Sequence, residues 1–377
     1  GPIVIGLAVA DSGPIAPYDI EAVQAVELAA EQINERGGIK GREIKLVKRD
    51  TASDKAQAAN VATELIDEGA VAIIASCDFD YGSPAAISAQ ARNVPGISMC
   101  ASDPKFADRT TIGEYAFTLG VGSDYEATSN AEWSYKRGWR SVYILQDESI
   151  EYTKALGRYF EARWAELGGT IAGRESFAGG ENVNVRPHAS KIARVSPAPD
   201  FIYLPSWNPG AASAIRQLRA NGVELPIVGP AALDSAAFSK IAGNVSGVYF
   251  TPYACYAYCS GQDEPALQEF AKAFEERWGK APSSSYDISA YNVMLALAAG
   301  MERASEITGP ALQDALEQLP PIDTPVGKVQ FFSPTCNKPI DAPLSYVEAK
   351  RGALVFVEQH RPEAIPNLDD GNPCSAE

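Results

Sequence analysis

Histidine is almost missing from this chain of 377 residues, where only His188 and His360 occur. With no Cys-x2-Cys pair beside them, a zinc site lacks its donors. Serine-nucleophile chemistry lacks its parts as well: there is no G-x-S-x-G elbow, and the two histidines fall in a predicted loop before Ala189 and near the C-terminus. No P-loop or metal-binding helix motif is present, which removes phosphoryl transfer and zinc proteolysis. Basic residues are in deficit, 32 Lys and Arg against 48 Asp and Glu, for a formal charge of −16. Such a surface repels nucleic acid and offers no basic stripe to an anionic membrane. No apolar run approaches the roughly 20 residues that cross a bilayer. The sequence opens on a strand with no basic n-region, so a soluble product, or one whose targeting segment has been removed, is expected. Pro/Ser linkers, charge blocks, low-complexity tracts and short repeats are also lacking.

What is present is a βα rhythm. Ile3-Val4-Ile5-Gly6-Leu7-Ala8-Val9 is a continuous apolar run, as expected of a parallel strand covered on both faces. A Gly/Pro turn, Ser12-Gly13-Pro14-Ile15-Ala16, leads into a helix with Val23, Val26, Ala30 and Ile33 on one face, Asp19 as its expected cap and Gly37-Gly38 as its stop. The alternation continues with a strand over Glu43–Val47, a helix from a Ser53 cap to Glu68, a strand over Val71–Ser76, a helix opened by Ser83-Pro84 and a strand over Gly96–Cys100. It restarts with strands at 141–146, 170–176, 201–204, 227–229 and 247–251 and helices at 152–167, 189–195 and 209–220. At 377 residues, 46% of them hydrophobic, the chain exceeds one typical domain of about 100–200 residues and can build two cores. The expected fold class is α/β, two doubly wound parallel-sheet lobes. Leu119-Gly120-Val121-Gly122-Ser123 is read as a hinge rather than a dinucleotide loop, because Tyr125 occupies the place of the third glycine.

Six cysteines are available. Bridges Cys255–Cys259 and Cys336–Cys374 can be drawn without crossing lobes, which favours an oxidising compartment, with unpaired thiols as the alternative. Cys77 and Cys100 end neighbouring predicted strands, and their pairing stays open.

The opening segment, with Ala29-Ala30-Glu31-Gln32-Ile33-Asn34-Glu35-Arg36-Gly37-Gly38-Ile39-Lys40-Gly41-Arg42, resembles the N-terminal lobe of the branched-chain amino-acid binding proteins, type I periplasmic receptors that feed ABC transporters. The resemblance implies capture and delivery of a small molecule without catalysis, no cofactor, a membrane permease as partner, a monomer, and a periplasmic or extracellular place, free or lipid-anchored. It further implies a three-stranded hinge, with 1–121 and 252–330 in one lobe and 122–251 and 331–377 in the other. The alternative is a ligand-sensing domain of a receptor, or an amide-type regulator, on the same fold.

Ligands of open parallel sheets bind at the carboxyl ends of the strands, and two facing lobes turn that edge into a cleft. Aromatic Tyr18, Phe79, Tyr81, Tyr152 and Trp207 and acidic Asp78, Asp80, Asp103, Asp147 and Asp234 fall at such ends, a combination suited to a polarised or cationic organic ligand. By resemblance, Ser102 sits on the hydroxyl that holds a ligand's carboxylate and ammonium, Cys100 offers its carbonyl to the ammonium, and Tyr18, Tyr152 and Trp207 form walls. Two positions depart from the family: Phe79 replaces a carboxylate-binding serine, and Ala231 replaces the acid that pairs with the ammonium. An amino-acid-like or aromatic ligand is therefore expected in place of plain Leu, Ile or Val, with Asp80, Asp103 and Asp234 as candidates to replace the missing acid.

Overall fold

The structure is a computed structural model and describes residues 1–368 and Cys374. In the first lobe, β1 (Ile3–Val9), β2 (Ile44–Asp50), β3 (Ile73–Ala75), β4 (Gly96–Ser98) and β5 (Ala116–Thr118) form a parallel sheet in the order β2-β1-β3-β4-β5. Helices α1 (Ala16–Glu35), α2 (Lys55–Asp67), α3 (Phe79–Ala91) and α4 (Pro104–Ala107) alternate with these strands. The sequence expectation of two wound parallel sheets is met.

The second lobe opens with α5 (Ser123–Lys136) and continues through β6 (Ser141–Asp147), α6 (Glu151–Leu167), β7 (Thr170–Phe177), α7 (Arg186–Ala193), β8 (Phe201–Tyr203), α8 (Gly210–Ala220), β9 (Ile227–Val228), α9 (Ala236–Ala242) and β10 (Val248–Phe250). Its parallel strands run β7-β6-β8-β9-β10, the same winding order as the first lobe. The chain then places β11 (Cys259–Ser260) at the edge of this sheet and returns to the first lobe with α10 (Pro265–Trp278), α11 (Tyr286–Arg303) and α12 (Gly309–Glu317). A hairpin of β12 (Ile322–Thr324) and β13 (Gly327–Val329) follows, and β14 (Leu344–Lys350) and β15 (Ala353–His360) complete the larger sheet, with β14 antiparallel to β10.

Several local expectations shift. Helix α1 starts ahead of Asp19, and the Asp19 carboxylate is buried inside its first turn, accepting from Ala10 N, Cys77 N and Ser76 Oγ, so it ties β1 to β3 instead of capping. Asp54, one residue after Ser53, caps α2 by accepting from Gln57 N. Helix α3 begins at Phe79 under an Asp78 cap, which leaves Pro84 inside it, past the first turn, where its missing N–H removes one bond from the helical ladder. Cys259–Ser260, within the 252–330 stretch assigned to the first lobe, belongs to the second sheet. Strands β14 and β15, absent from the sequence reading, extend this sheet from β10 to the edge strand β11.

Three segments cross between the lobes, at 119–122, 251–264 and 330–343. The first and third are pinned together by Lys338, a buried lysine whose Nζ donates to Val121 O at 2.9 Å and lies 3.7 Å from Asp124 Oδ2. Helix α1 buries Val23, Val26, Ala30 and Ile33 in one cluster with Val293, Met294 and Leu297 of α11, so the first core closes with residues some 260 positions away. All six cysteines lie in close pairs, Cys77–Cys100, Cys255–Cys259 and Cys336–Cys374, with Cα separations of 4.6, 5.1 and 5.2 Å, within the range a disulfide requires.

Candidate functional site

Each sheet reverses its winding direction beside its first strand, between β1 and β3 in one lobe and between β6 and β8 in the other. Helices leave opposite faces there and open a crevice at the strand ends. The two crevices face one another. Between them lies a small void lined by Ile15, Tyr18, Cys77, Asp78, Cys100 and Ser102 from the first lobe, Ile150, Tyr152, Trp207 and Ala232 from the second, and Tyr286 at the start of α11. It leaves about 30 Å³ of space for water centres, far too little for an organic molecule unless the lobes part.

The lobes are held shut by polar contacts. Tyr18 Oη donates to Ala232 O at 2.8 Å and accepts from Asn208 N at 2.8 Å, so one hydroxyl is bonded on both sides across the cleft. At the rim, Lys105 pairs with Asp103 and reaches Glu151, whose own N–H donates to Asp80 Oδ1 at 3.4 Å. Asp234 accepts from Ser285 N, Ser285 Oγ and Tyr258 Oη, joining the second lobe to α11.

These contacts redistribute the sequence candidates. Tyr18, Cys100, Ser102, Tyr152 and Trp207 are brought together around the void. Trp207 tilts against Tyr18 and Tyr81 at 6.1 and 6.3 Å and anchors its Nε1 on Ser149 Oγ. Phe79 does not reach the void: it packs edge-on against Phe106, with Lys105 Nζ 5.1 Å from its ring. Asp103 caps α4 and Asp234 is fully engaged between lobes, so neither points a free carboxylate at a ligand. Asp80 sits at the rim. Ala231 contributes its backbone N–H, which donates to Glu126 Oε1 at 3.0 Å.

Glu126, one turn inside α5, is the residue the sequence reading missed. Its Oε1 also accepts from Tyr152 Oη at 2.8 Å, while Oε2 is buried without a hydrogen-bond partner. Burial pushes its carboxyl up to about 7, against the Ala231 N–H and the Tyr152 and Ser102 hydroxyls, which favour the charged form. Tyr253 was missed as well; its hydroxyl lies 3.4 Å from Ser102 Oγ. Glu126 follows a hinge and not a strand, so the strand-end rule passes over it. Burial also lifts Asp19 and Asp234 to about 6 and Asp78 well above the carboxylate range.

A consequence for stability follows. Groups whose folded pKa is raised bind protons more tightly in the folded state, so their contribution is full below their unfolded pKa and is lost as pH rises through the folded value. For Asp19, Glu126 and Asp234 that window runs from about pH 4 to 7. The unliganded protein should melt several degrees higher at pH 5 than at pH 8 at equal ionic strength. A melting temperature that climbs over the same interval would show that these carboxyls do not hold their protons.

The model for the periplasmic binding protein family matches residues 2–353. The chain is a type I periplasmic binding protein. It is 25% identical over 306 residues to the Leu/Ile/Val-binding protein of Escherichia coli (strain K12), covering 81% of this chain and 80% of that one. It is 24% identical over 332 residues to the leucine-, isoleucine-, valine-, threonine- and alanine-binding protein of Pseudomonas aeruginosa, covering 87% and 85%. Its fold matches the substrate-binding protein LivJ of Streptococcus pneumoniae in complex with isoleucine, at a TM-score of 0.83 and 21% identity over 96% of this chain and all of that one. A solute-binding protein from R. palustris in complex with benzoate matches at 0.82 and 20% identity over 99% of each. Like other members of a family of solute-binding proteins, this periplasmic binding protein is not an enzyme. The family places it in the periplasm or outside the cell, and among the described residues no helix is long and apolar enough to cross a membrane.

Proposed function

We propose that this protein captures a small amino-acid-like or aromatic solute between its lobes and hands it to the permease of an ABC importer. The observation that carries the reading is the meeting of both switch-point crevices at one aromatic-walled void, spanned by hydrogen bonds that only a closed arrangement of the lobes can make. Closure commits the ligand and creates the surface a permease could recognise. Relatives named for branched-chain amino acids and a structural neighbour holding benzoate frame the size of the solute. Tyr18, Cys100, Ser102, Tyr152 and Trp207 are the proposed contacts, with Asp80 at the mouth and the Ala231 backbone behind the wall. Phe79, Asp103 and Asp234 act one step back, by shaping the rim and holding the lobes.

A thermal-shift panel of amino acids, aromatic acids, amides and amines should reveal binders, since a ligand stabilises by RT ln(1 + [L]/Kd). With a tight binder in hand, small-angle scattering should show a smaller radius of gyration on addition. No change in shape would count against hinge closure.

Trp207 offers a direct probe of the wall. Trp207→Ala should weaken the best ligand by about 1–3 kcal/mol through lost stacking and burial. Unchanged affinity in calorimetry would remove Trp207 from the site.

A further inference from the structure

We infer that the solute carries a protonated amine and that Glu126 is the acid that receives it, from behind the wall made by Ser102 and Tyr152. The inference deepens the receptor reading above and rests on it. Glu126 is fully buried, and one of its oxygens is already spent on Ala231 N and Tyr152 Oη. The other accepts no hydrogen bond of normal geometry, because the Ser102 hydroxyl, which favours the charged form, donates instead to Cys100 O. A buried carboxylate oxygen left unsatisfied costs free energy that an ammonium N–H recovers through a charge-assisted hydrogen bond.

The surroundings favour a cation over the other charge states. The groups facing Glu126 are Asp124 on its own helix, Ser102 and Tyr253 from the first lobe and second crossing, Tyr152 from α6, Tyr203 from β8, Tyr286 from α11 and Tyr346 from β14. None is basic. Tyr18, Tyr152, Trp207 and Tyr286 present aromatic rings to the adjoining void, and rings of this kind attract ammonium groups. Among the described residues lining the void there is no Lys or Arg, and the titratable side chain on its wall besides tyrosine is the carboxyl of Asp78. A carboxylate ligand would face two acids and no counter-charge. Position 79 offers a carboxylate no hydroxyl either, because it holds a phenylalanine that packs on Phe106 away from the void. The solute that fits is an organic amine with no need of a carboxylate.

Proton linkage makes the inference testable on the unaltered protein. Near neutral pH a part of the Glu126 population is protonated in the free cleft, and a bound ammonium would favour its charged form, so binding would release protons. The probes are butylamine and benzylamine, the neutral butyramide and benzamide, and the anions butyrate and benzoate. An amine should raise the melting temperature where its matched amide and acid do not. Its affinity should fall by close to tenfold per pH unit below about 6.5, and its binding enthalpy at pH 6.5 should depend on the ionisation enthalpy of the buffer. Glu126→Gln should weaken the amine at least tenfold and flatten the pH profile, with Glu126→Asp recovering part of the loss. A neutral or anionic probe that binds better than its amine overturns the inference and leaves the receptor reading standing. Affinity that ignores pH in the unaltered protein removes Glu126 from recognition even if the variants fail to fold. Silence from all six probes with hits only among the acids and amides of the wider panel overturns the amine alone; silence throughout both panels overturns the receptor reading with it.

Discussion

Leucine, isoleucine and valine should each bind roughly a thousandfold more weakly than a ligand that satisfies this cleft. A free amino acid brings a carboxylate as well as an ammonium, and the first has nowhere to go. Position 79 holds a phenylalanine packed on Phe106, the cleft wall carries the carboxyl of Asp78, and the Ser102 hydroxyl already donates to Cys100 O. One weak donor does not offset the desolvation of a charged group, which costs several kcal/mol when left unpaired. Titration calorimetry with the three amino acids tests this directly. Submicromolar binding of any one would mean that the cleft rearranges to build a carboxylate site from side chains that point elsewhere in this structure.

Lys338→Met should cost about 3–5 kcal/mol of folding stability, a large fraction of what holds a domain together. Lys338 is 2% exposed and Asp124 is fully buried, so removing the ammonium breaks a buried ion pair and frees the Val121 carbonyl. The double variant Lys338→Met/Asp124→Asn should regain much of the loss, because the uncompensated charge goes with it. Denaturant midpoints of the two variants decide the matter. Equal midpoints for the single variant and the unaltered protein would show that solvent reaches this pair.

The fold was legible because its signals are local. Apolar runs such as Ile3–Val9 and the one-sided apolar spacing and glycine stop of α1 specify strand and helix within a short stretch of sequence, and their alternation specifies winding. Strands β14 and β15 were not legible, since β14 is laid down by pairing with β10 almost a hundred residues earlier and the half-exposed β15 is laid down on β14. Tyr18, Cys100, Ser102, Tyr152 and Trp207, which line the void, fall where a general rule about strand ends looks for a ligand. Glu126 does not, and nothing in the hinge sequence tells which turn of α5 will face Ala231 after the lobes assemble. Asp234 misled for the same reason: its chemistry suited a ligand, and only the packing of α11 shows Ser285 and Tyr258 taking it up.

The packing of α1 against α11 also bears on how fast the molecule can reach its native state. Val23 and Val26 find their partners Val293 and Leu297 only after most of the chain has been made, and the intervening second lobe must be looped out meanwhile. Contacts of such sequence separation raise the entropic barrier to folding, so refolding after dilution from denaturant should be slow compared with that of a protein of equal size built from neighbouring segments. The second lobe is free of this delay through its first five strands, which pair in an unbroken stretch from 141 to 250. Synthesis from the N-terminus would therefore let the later lobe organise before the earlier one can finish.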